Sequence, residues 1–393
     1  MNPCIVGWAH SPFGRLDQQD LEALITGVTR DAITDAGIEA AEVDALWLGN
    51  LNGGFVPDIF CSSLMLQAHP ALRWKPATRV ENACASGAAA IYAALDAIEA
   101  GRAKIAVVVG AEKMTAISGA AITEVLGRAS YVREEAALGL SFPGIFAQMA
   151  QAYFDKYGGD RDGVHSATLA KIAAKNHANG MRNPYAQMHK DLGFEFCNTV
   201  SDKNPMIAAP LRKTDCSLVS DGAAALVLAD ADTARAMKKA VAFRARAQVN
   251  DFLPMSRRDP AAFEGPRRAW QQALKEARTG IRDLSLVEVH DCFTIAELLS
   301  YEAMGLAEPG QGGRLLDEGI VMRDGKLPVN VSGGLKSKGH PIGATGVSMH
   351  VLSAMQLCGK AGDMQIADAS MAGVFNMGGS AVASYVSLLE RAK

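Results

Sequence analysis

The chain has 393 residues, which exceeds the usual size of one hydrophobic core and predicts two packed units. Hydrophobic residues make up 49% of the sequence and charged residues 21%, a balance typical of folded globular proteins and not of disordered ones. The net charge of −3, without any basic run, gives no indication of a nucleic-acid or membrane-surface partner, so we expect a protein that acts on small molecules.

The seven cysteines are scattered along the chain without Cys-x-x-Cys pairs. This distribution predicts reduced thiols and a cytoplasmic location rather than a disulfide framework or a zinc finger. The first residues lack the basic and apolar segments of a signal peptide, and no apolar stretch is long enough to span a bilayer.

Predicted strands and helices alternate along the first part of the chain. The segments CIVGWA and ALWLG are expected to form short buried strands. Between them a helix is expected from about Asp20, because five apolar residues fall on one face: Leu21, Leu24, Ile25, Val28 and Ala32. Farther on, VENACASGAAAIYAALDAIEAG and KIAVVVGAE predict a strand, a sharp turn, an alanine-rich helix and a fully buried strand. This alternation is typical of an α/β fold.

The stretch from about Thr115 to Pro210 interrupts this order. It contains several Gly and Pro residues and the polar run KNHANGMRNPYAQMHK, and we expect it to form an inserted loop domain. After it, DCSLVSDGAAALVLAD restores a buried strand.

The second part of the chain repeats the element order of the first. The segments VAFRARAQV, SLVEVH, VNVSGG, IADASMA and AVASYVSLL are expected strands, with helices near Pro266 to Ala277, from Phe293 and from Gly343. The turns NACASGAAA and KGHPIGATG occupy corresponding places, which indicates a diverged internal duplication. We therefore expect a first half at residues 1–114 and 211–240, the loop domain at 115–210, and a second half at 241–393.

Cys84 follows a predicted strand and precedes a predicted helix, among small neighbours that would let a substrate approach. The unpaired N–H groups and positive potential of a helix N-terminus lower a thiol pKa and can also bind a developing oxyanion. A nucleophile requires these features, so Cys84 is a candidate catalytic residue. The alternative is a buried structural cysteine before an alanine-rich helix.

Two histidines are further candidates. His340 lies in a glycine-rich loop where Pro341 fixes the next φ, so a rigid turn presents its ring, although an ordinary turn histidine is the alternative. His290, Asp291 and Cys292 end an apolar strand, where catalytic groups collect in α/β sheets. A metal site there is not favoured, because neighbouring strand residues point to opposite faces. One cysteine and two histidines predict Cys–His chemistry for acyl transfer.

Four motifs resemble those of the thiolase family in order and spacing along almost the whole chain: ENACASG at 81–87, DCSLVSDGAAA at 215–225, VHDCF at 289–293 and SGGLKSKGHPIGATG at 332–346. The resemblance implies the thiolase fold, an α/β architecture in which two βαβαβαββ halves pack as five αβαβα layers with a loop domain inserted into the first. It also implies a homodimer or a dimer of dimers. Acyl-CoA and coenzyme A would be the substrates, with no permanently bound cofactor and no metal.

The resemblance assigns a role to each matching position. Cys84 would accept the acyl group, and His340 would activate it and help to bind the thioester oxygen. His290 stands where most thiolases have an asparagine that helps to form the first oxyanion hole. Phe293 matches a phenylalanine that lines the pantetheine path, and Ser217 matches a serine that contacts the pantetheine chain.

The second oxyanion hole and the proton donor depend on a turn near the C-terminus. Gly378 and the Cys84 backbone N–H would form this oxyanion hole. Thiolases usually carry a second catalytic cysteine in a Cys-x-Gly sequence at this turn, whereas the matching residues here are Asn376, Met377 and Gly378. The His-Asp-Cys-Phe motif resembles that of the sterol-carrier-protein-2-like branch, in which the cysteine of this motif takes over. We therefore expect Cys292 to act as the acid and base.

The resemblance implies a coenzyme A-dependent acyltransferase of fatty-acid or lipid metabolism that cleaves 3-oxoacyl-CoA or forms it by Claisen condensation. Three alternatives stay open. They are a condensing enzyme similar to ketoacyl synthases, a thiolase-like subunit that only holds acyl-CoA for a partner enzyme, and a cysteine hydrolase.

Overall fold

The computed structural model describes residues 2–160 and 163–393. Its strands are β1 (Cys4–His10), β2 (Ala45–Gly49), β3 (Ala77–Val80), β4 (Ile105–Lys113), β5 (Met206–Ala208), β6 (Leu211–Arg212), β7 (Asp221–Ala229), β8 (Val241–Asn250), β9 (Leu286–Val289), β10 (Met371–Gly378) and β11 (Ala383–Arg391). Its helices are α1 (Leu21–Ala36), α2 (Ser86–Glu99), α3 (Gly119–Gly127), α4 (Phe142–Lys156), α5 (Val164–Gly180), α6 (Gly193–Asn198), α7 (Ala231–Ala236), α8 (Glu264–Ala277), α9 (Thr294–Ala303), α10 (Arg314–Asp317), α11 (Gly334–Lys338) and α12 (Ile342–Leu357).

Helix α1 shows how local sequence sets the element boundaries. The Asp20 carboxylate accepts a hydrogen bond from the Ala23 backbone N–H at 2.8 Å and caps the first turn. A cap of this kind stabilises a helix by about 1 kcal/mol. Gly37, with a φ of 71°, ends the helix in the left-handed conformation that glycine adopts without steric cost. The helix predicted from about Asp20 is therefore confirmed.

The sheet repeats one strand order in both halves of the chain. Among the described residues, the order is β3-β2-β4-β7-β1-β8-β11-β10-β9, and a short ladder between β1 and β8 joins the halves. The pairs β2–β3, β2–β4 and β9–β10 are parallel, and the other neighbouring strands are antiparallel. Val329 bridges Val287 of β9 in parallel and takes the place that β3 has in the first half. The predicted internal duplication is confirmed by this shared order.

The predicted strand VNVSGG is reduced to that one bridge. The Asn330 side-chain oxygen accepts from the Val289 backbone N–H at 2.8 Å and takes the place of a ladder partner. Asn330 also has a φ of 56°, which turns the chain out of the strand direction. The prediction of a full strand here was therefore wrong.

Helices and strand layers alternate through the molecule. Val107 and Val108 of β4 lie in different hydrophobic cores, the first shared with α1 and the second with α2, so these helices cover opposite faces of the first-half strands. Helix α12 packs against α2 and also contacts β4 and β10, while α8 covers β8 and β11. The molecule therefore has five layers. In order, they are α1, the first-half strands, α2 together with α12, the second-half strands, and α8. The predicted α/β fold with duplicated halves is confirmed.

Helices α2 and α12 approach each other closely because glycines face one another. A Cβ atom on Gly87 would lie 2.8 Å from the Gly343 carbonyl oxygen, and one on Gly346 would lie 2.4 Å from the Ala88 nitrogen. Side chains at these two positions would force the helices apart. Since α2 follows the Cys84 turn and α12 follows the His340 turn, their close packing brings these two turns together.

The segment between β4 and β7 contains helices α3 to α6 and the hairpin β5–β6. Helix α5 packs on α11, and α4 packs on α9, so this segment covers the second-half motifs. The exact division into two halves and an inserted domain stays a prediction, as does the oligomeric state. None of the described helices has the length and apolarity that a membrane crossing requires.

Candidate active site

Cys84 lies in the turn that connects β3 to α2. The preceding residue, Ala83, has a φ of 49°, in the left-handed region that non-glycine residues rarely adopt. The Ser86 hydroxyl holds this turn, because it accepts from the Asn82 backbone N–H at 2.9 Å and donates to the Ala83 carbonyl at 2.7 Å. Serine at this position therefore fixes the conformation that presents the thiol.

The Cys84 thiol opens into a largely apolar cavity of about 210 Å³. Its walls come from the Cys84 turn, α3, the start of α4, the loop before β7, the start of α9 and the His340 turn. The predicted site residues that line it are Cys84, Ser217, Cys292, Phe293 and His340. A buried apolar cavity with a few polar groups is the usual form of a small-molecule site.

Three of the predicted residues converge on one point. The Cys84 sulfur, one ring nitrogen of His290 and one of His340 all lie within 4.8 Å of one another, and all three residues are buried. The two histidine rings meet edge to face, with centroids 5.0 Å apart and an interplanar angle of 87°. The structure therefore brings together a thiol and two imidazoles from three separate motifs.

The hydrogen bonds of Thr345 determine the tautomer of His340. The Thr345 hydroxyl donates its one hydrogen to the Pro341 carbonyl at 2.9 Å. It can therefore only accept from His340 Nδ1, which lies 2.7 Å away. His340 carries its proton on Nδ1, and Nε2 keeps its lone pair. Burial and the nearby Lys338 charge lower the pKa of His340 to about 3, so the ring is neutral and able to accept a proton.

Burial raises the pKa of the Cys84 thiol to about 12, and hydrogen bonds from the Gly379 and Cys84 backbone N–H groups offset only part of this effect. The backbone N–H groups thus act in the predicted direction, but the predicted net lowering of the Cys84 pKa was wrong for the free site. The reason is that removal of the sulfur from water outweighs the nearby N–H groups. Cys84 is a thiol at neutral pH and needs a base when it reacts.

The raised pKa of Cys84 predicts how alkylation should depend on pH. Because the thiolate is the reactive form, we expect the rate of Cys84 alkylation by iodoacetamide to rise about tenfold per pH unit between pH 7 and 9. His340 should add no inflection in this range, since its pKa is lowered to about 3. Mass spectrometry of the Cys84 peptide measures the rate. A plateau in this pH range would show a thiolate already formed at neutral pH.

Cys292 and Phe293 form the wall next to the Cys84 thiol. Burial is the largest of the effects that raise the pKa of Cys292 well above 9, so the group is a protonated thiol at neutral pH. The Cys292 carbonyl accepts from the Ser217 backbone N–H at 2.9 Å, which fixes the two predicted positions relative to each other. The Phe293 ring stacks on Phe146 of α4, with centroids 4.5 Å apart.

The Asp291 carboxylate joins the His290 loop to the segment that leads to His340. It accepts from the Leu335 backbone N–H at 2.7 Å, the Lys336 N–H at 3.3 Å and the Asn176 side chain at 2.8 Å. Since these donors occupy it, Asp291 is not free to bind a metal with its neighbours. Among residues 2–160 and 163–393, Cys84, His290 and His340 form a cluster whose donor atoms could converge on an ion, so the predicted absence of a metal stays a prediction.

The Glu112 carboxylate of the first half is hydrogen-bonded to the second half. It lies at the end of β4 and accepts from the backbone N–H groups of Leu51, Asn52 and Gly343, at 3.0, 2.9 and 3.0 Å respectively. Burial raises the pKa of Glu112 to about 7. Through Gly343 this first-half side chain holds the N-terminus of α12, immediately after the His340 turn.

The C-terminal turn places Gly379, rather than Gly378, against the thiol. Gly379 lines the cavity, and its backbone N–H reaches the Cys84 sulfur. Gly378 ends β10, where a Cβ atom would lie 2.4 Å from the Asn82 carbonyl oxygen, so glycine here lets the two turns approach. A role of Gly378 in an oxyanion hole stays a prediction.

The sequence analysis missed three residues that contact the catalytic groups. Thr345 fixes the His340 ring, Gly379 lines the cavity beside the thiol and lowers its pKa, and the Asn376 side chain lies 2.9 Å from His290 Nδ1. Asn376 did give a signal, because it stands where the resemblance places the second cysteine. Thr345 follows His340 by five residues on the first turn of α12, a spacing from which its hydroxyl could have been anticipated.

The chain is similar to known proteins over nearly its whole length. The family model described as the thiolase N-terminal domain matches residues 4–232, and the model described as thiolase C-terminal domain-like matches residues 247–391. Acetyl-CoA acetyltransferase of Methanothermobacter thermautotrophicus is 37% identical over 390 residues, which is 98% of this chain and 99% of that protein. Sterol carrier protein 2 of Oryctolagus cuniculus is 30% identical, over 93% of this chain and 67% of that protein. The solved structure of the Ltp2-ChsH2(DUF35) aldolase superposes with a TM-score of 0.83 at 20% identity, over 99% of this chain and 98% of that one.

Proposed function

The chain belongs to the thiolase family, and from this premise we propose that it cleaves 3-oxoacyl-CoA with coenzyme A, or runs the reverse Claisen condensation, through an acyl-Cys84 intermediate. The observation that carries the proposal is the convergence of the Cys84 sulfur with the His290 and His340 rings beside an apolar cavity. The acetyl-CoA acetyltransferase relative, whose name specifies transfer of an acetyl group from a coenzyme A thioester, supports the same class of substrate.

In the first step of this mechanism, His340 Nε2 takes the proton of the Cys84 thiol while the sulfur attacks the 3-oxo carbon. The base is neutral and the thiol is protonated in the free site, so the proton moves as the carbon–sulfur bond forms. The resulting oxyanion needs hydrogen-bond donors in place of water. Such a donor in a closed site typically lowers the barrier by ~3 kcal/mol.

In the second step, the bond between carbons 2 and 3 breaks and leaves acyl-Cys84 and the enolate of acetyl-CoA. Cys292 donates its thiol proton to carbon 2 of the enolate and becomes a thiolate. In the third step, this thiolate takes the proton of an incoming coenzyme A, whose sulfur displaces Cys84 from the acyl group. His340 returns its proton to the Cys84 sulfur, so every group regains its starting state.

The experiment that tests the proposal measures coenzyme A-dependent cleavage of acetoacetyl-CoA and of longer 3-oxoacyl-CoAs. We expect acetyl-CoA as a product, and an acyl group on the Cys84 peptide when coenzyme A is withheld. The kinetics should be ping-pong because the acyl group is held covalently between two half-reactions. A wild-type chain that binds acyl-CoA without cleaving any of these substrates would instead favour the acyl-CoA-holding subunit.

The role of Cys292 predicts a selective defect. Cys292→Ser should lower the cleavage rate about 100-fold, because a hydroxyl is a weaker acid than a thiol towards carbon. Exchange of labelled coenzyme A into acetyl-CoA forms no enolate and leaves Cys292 as a thiol, because His340 can pass the Cys84 proton to the departing coenzyme A and take it back from the incoming one. Exchange should therefore stay within about threefold of wild type.

The matched control is Cys197→Ser, which buries the same hydroxyl in a separate apolar cluster. An equal loss of cleavage and exchange in Cys292→Ser would remove Cys292 from the acid and base role.

A further inference from the structure

Asn376 of β10 lies next to Cys84 and His290, at the position where the resemblance places a second cysteine. It is fully buried, and its side-chain nitrogen is 3.2 Å from the Cys84 carbonyl oxygen and 2.9 Å from His290 Nδ1. One side chain therefore contacts both the backbone of the nucleophile and the ring of a catalytic histidine.

The Cys84 carbonyl determines how the Asn376 amide is oriented. A carbonyl oxygen only accepts, so the amide nitrogen, and not the amide oxygen, must face it. The opposite orientation would place two oxygens 3.2 Å apart with no hydrogen between them. On the other side, a Cβ atom at Gly346 would lie 2.4 Å from Asn376 Oδ1, so the amide fills the space next to α12.

This orientation fixes the proton on His290. The amide nitrogen has two hydrogens and donates one to the Cys84 carbonyl and the other to His290 Nδ1. Since Nδ1 accepts, the single proton of the neutral ring is on Nε2. We propose that Asn376 is a positioning residue that holds His290 as the Nε2-protonated tautomer and so makes it an oxyanion donor.

Two observations support this proposal. His290 Nε2 is buried and has no hydrogen-bond partner among the described residues. A group that donates to an oxyanion during the reaction needs to be unpaired in this way in the free site. His340 has the opposite tautomer, because Thr345 accepts from its Nδ1. Two similar rings that meet edge to face are thus given different tasks, one as the base and one as the donor. The oxyanion part of the proposal rests on the proposed function.

The test reads the protonated nitrogen of His290 directly. Nitrogen NMR of the full chain, with all eight histidines labelled in the ring, should show a protonated Nε2 and an unprotonated Nδ1 for His290. The His290→Asn variant identifies its signals. A wild-type His290 protonated on Nδ1 would overturn the proposal.

Asn376→Asp provides the second arm, because a carboxylate of the same shape accepts and cannot donate. We expect His290 Nδ1 to become protonated and kcat at pH 8 to fall about 100-fold, with KM within about threefold, since the lost contact is made in the transition state. The control is Asn183→Asp, which changes a buried amide that donates to the Ser332 carbonyl at 2.8 Å. It should keep the wild-type His290 signals, although those of His189, which hydrogen-bonds the Asn183 carbonyl, can shift.

The NMR and kcat results for Asn376→Asp together distinguish a positioning role of Asn376 from a structural one. A fall in kcat without a change in the protonated nitrogen means that Asn376 is only structural, and a changed nitrogen with a normal kcat means that His290 is not the donor. If the wild type cleaves no 3-oxoacyl-CoA, the proposed function fails, while the free-enzyme NMR still tests the tautomer. Exchange of labelled coenzyme A into acetyl-CoA then replaces cleavage as the rate that is measured.

Discussion

Cys84→Ala is expected to lower coenzyme A-dependent cleavage by at least roughly 10⁴-fold, because it removes the thiol that holds the acyl group in the proposed mechanism. The Cys84 sulfur lies within 4.8 Å of one ring nitrogen of His290 and one of His340. The backbone N–H groups of Cys84 and Gly379 also lower the pKa of this thiol. The variant should also lose the acyl group on the Cys84 peptide and the exchange of labelled coenzyme A. Initial rates and mass spectrometry of the same preparations measure these losses.

The control for this substitution is Cys358→Ala, which removes a free thiol remote from the cavity. It should keep the wild-type rate, which excludes a general effect of cysteine loss. Thermal unfolding of Cys84→Ala should match that of the wild type within a few degrees, because the change removes one sulfur atom. Cleavage that persists in Cys84→Ala would contradict the covalent mechanism.

His340→Ala is expected to lower cleavage roughly 10³- to 10⁴-fold, near the upper range for loss of a general base. The effect should be large because the pKa of Cys84 is raised to about 12, so few thiolates exist without the base. Both half-reactions should slow, since His340 accepts the Cys84 proton in one and returns it in the other. Rates of cleavage and of exchange between pH 7 and 10 measure the effect.

The pH dependence separates this role from a structural one. Without His340, solvent must deprotonate the thiol, so the residual rate should rise about tenfold per pH unit. His69→Ala, at an exposed position outside the site, should retain the wild-type rate. A residual rate in His340→Ala that does not depend on pH would exclude His340 as the base.

The features that the sequence predicted correctly depend on local pattern. The Cys84 and His340 turns could be found because each lies directly before a small-residue helix, and those helices formed where the periodicity placed them. The internal duplication was visible in the element order. The prediction that VNVSGG forms a strand failed because a single side chain, that of Asn330, replaced a backbone partner.

Contacts between distant parts of the chain could not be predicted in this way. Asn376 and Cys84 are 292 positions apart in the sequence, and the sequence pattern around either residue does not predict that they are in contact. The pKa of Cys84 likewise depends on how completely the loop segment covers the thiol, which helix propensity does not reveal. That Gly379 lines the cavity follows from the exact end of β10, which sequence patterns locate poorly.

The two turns that meet between α2 and α12 stand at equivalent places in the duplicated halves. An ancestor made of two identical single-half subunits would have had the same turn on both sides of its symmetry axis, and any change in one would have appeared in the other. Joining the halves in one chain released this constraint. The two turns can therefore differ, with a cysteine in one and a histidine in the other, so the site where they meet is asymmetric although the halves around it share one strand order.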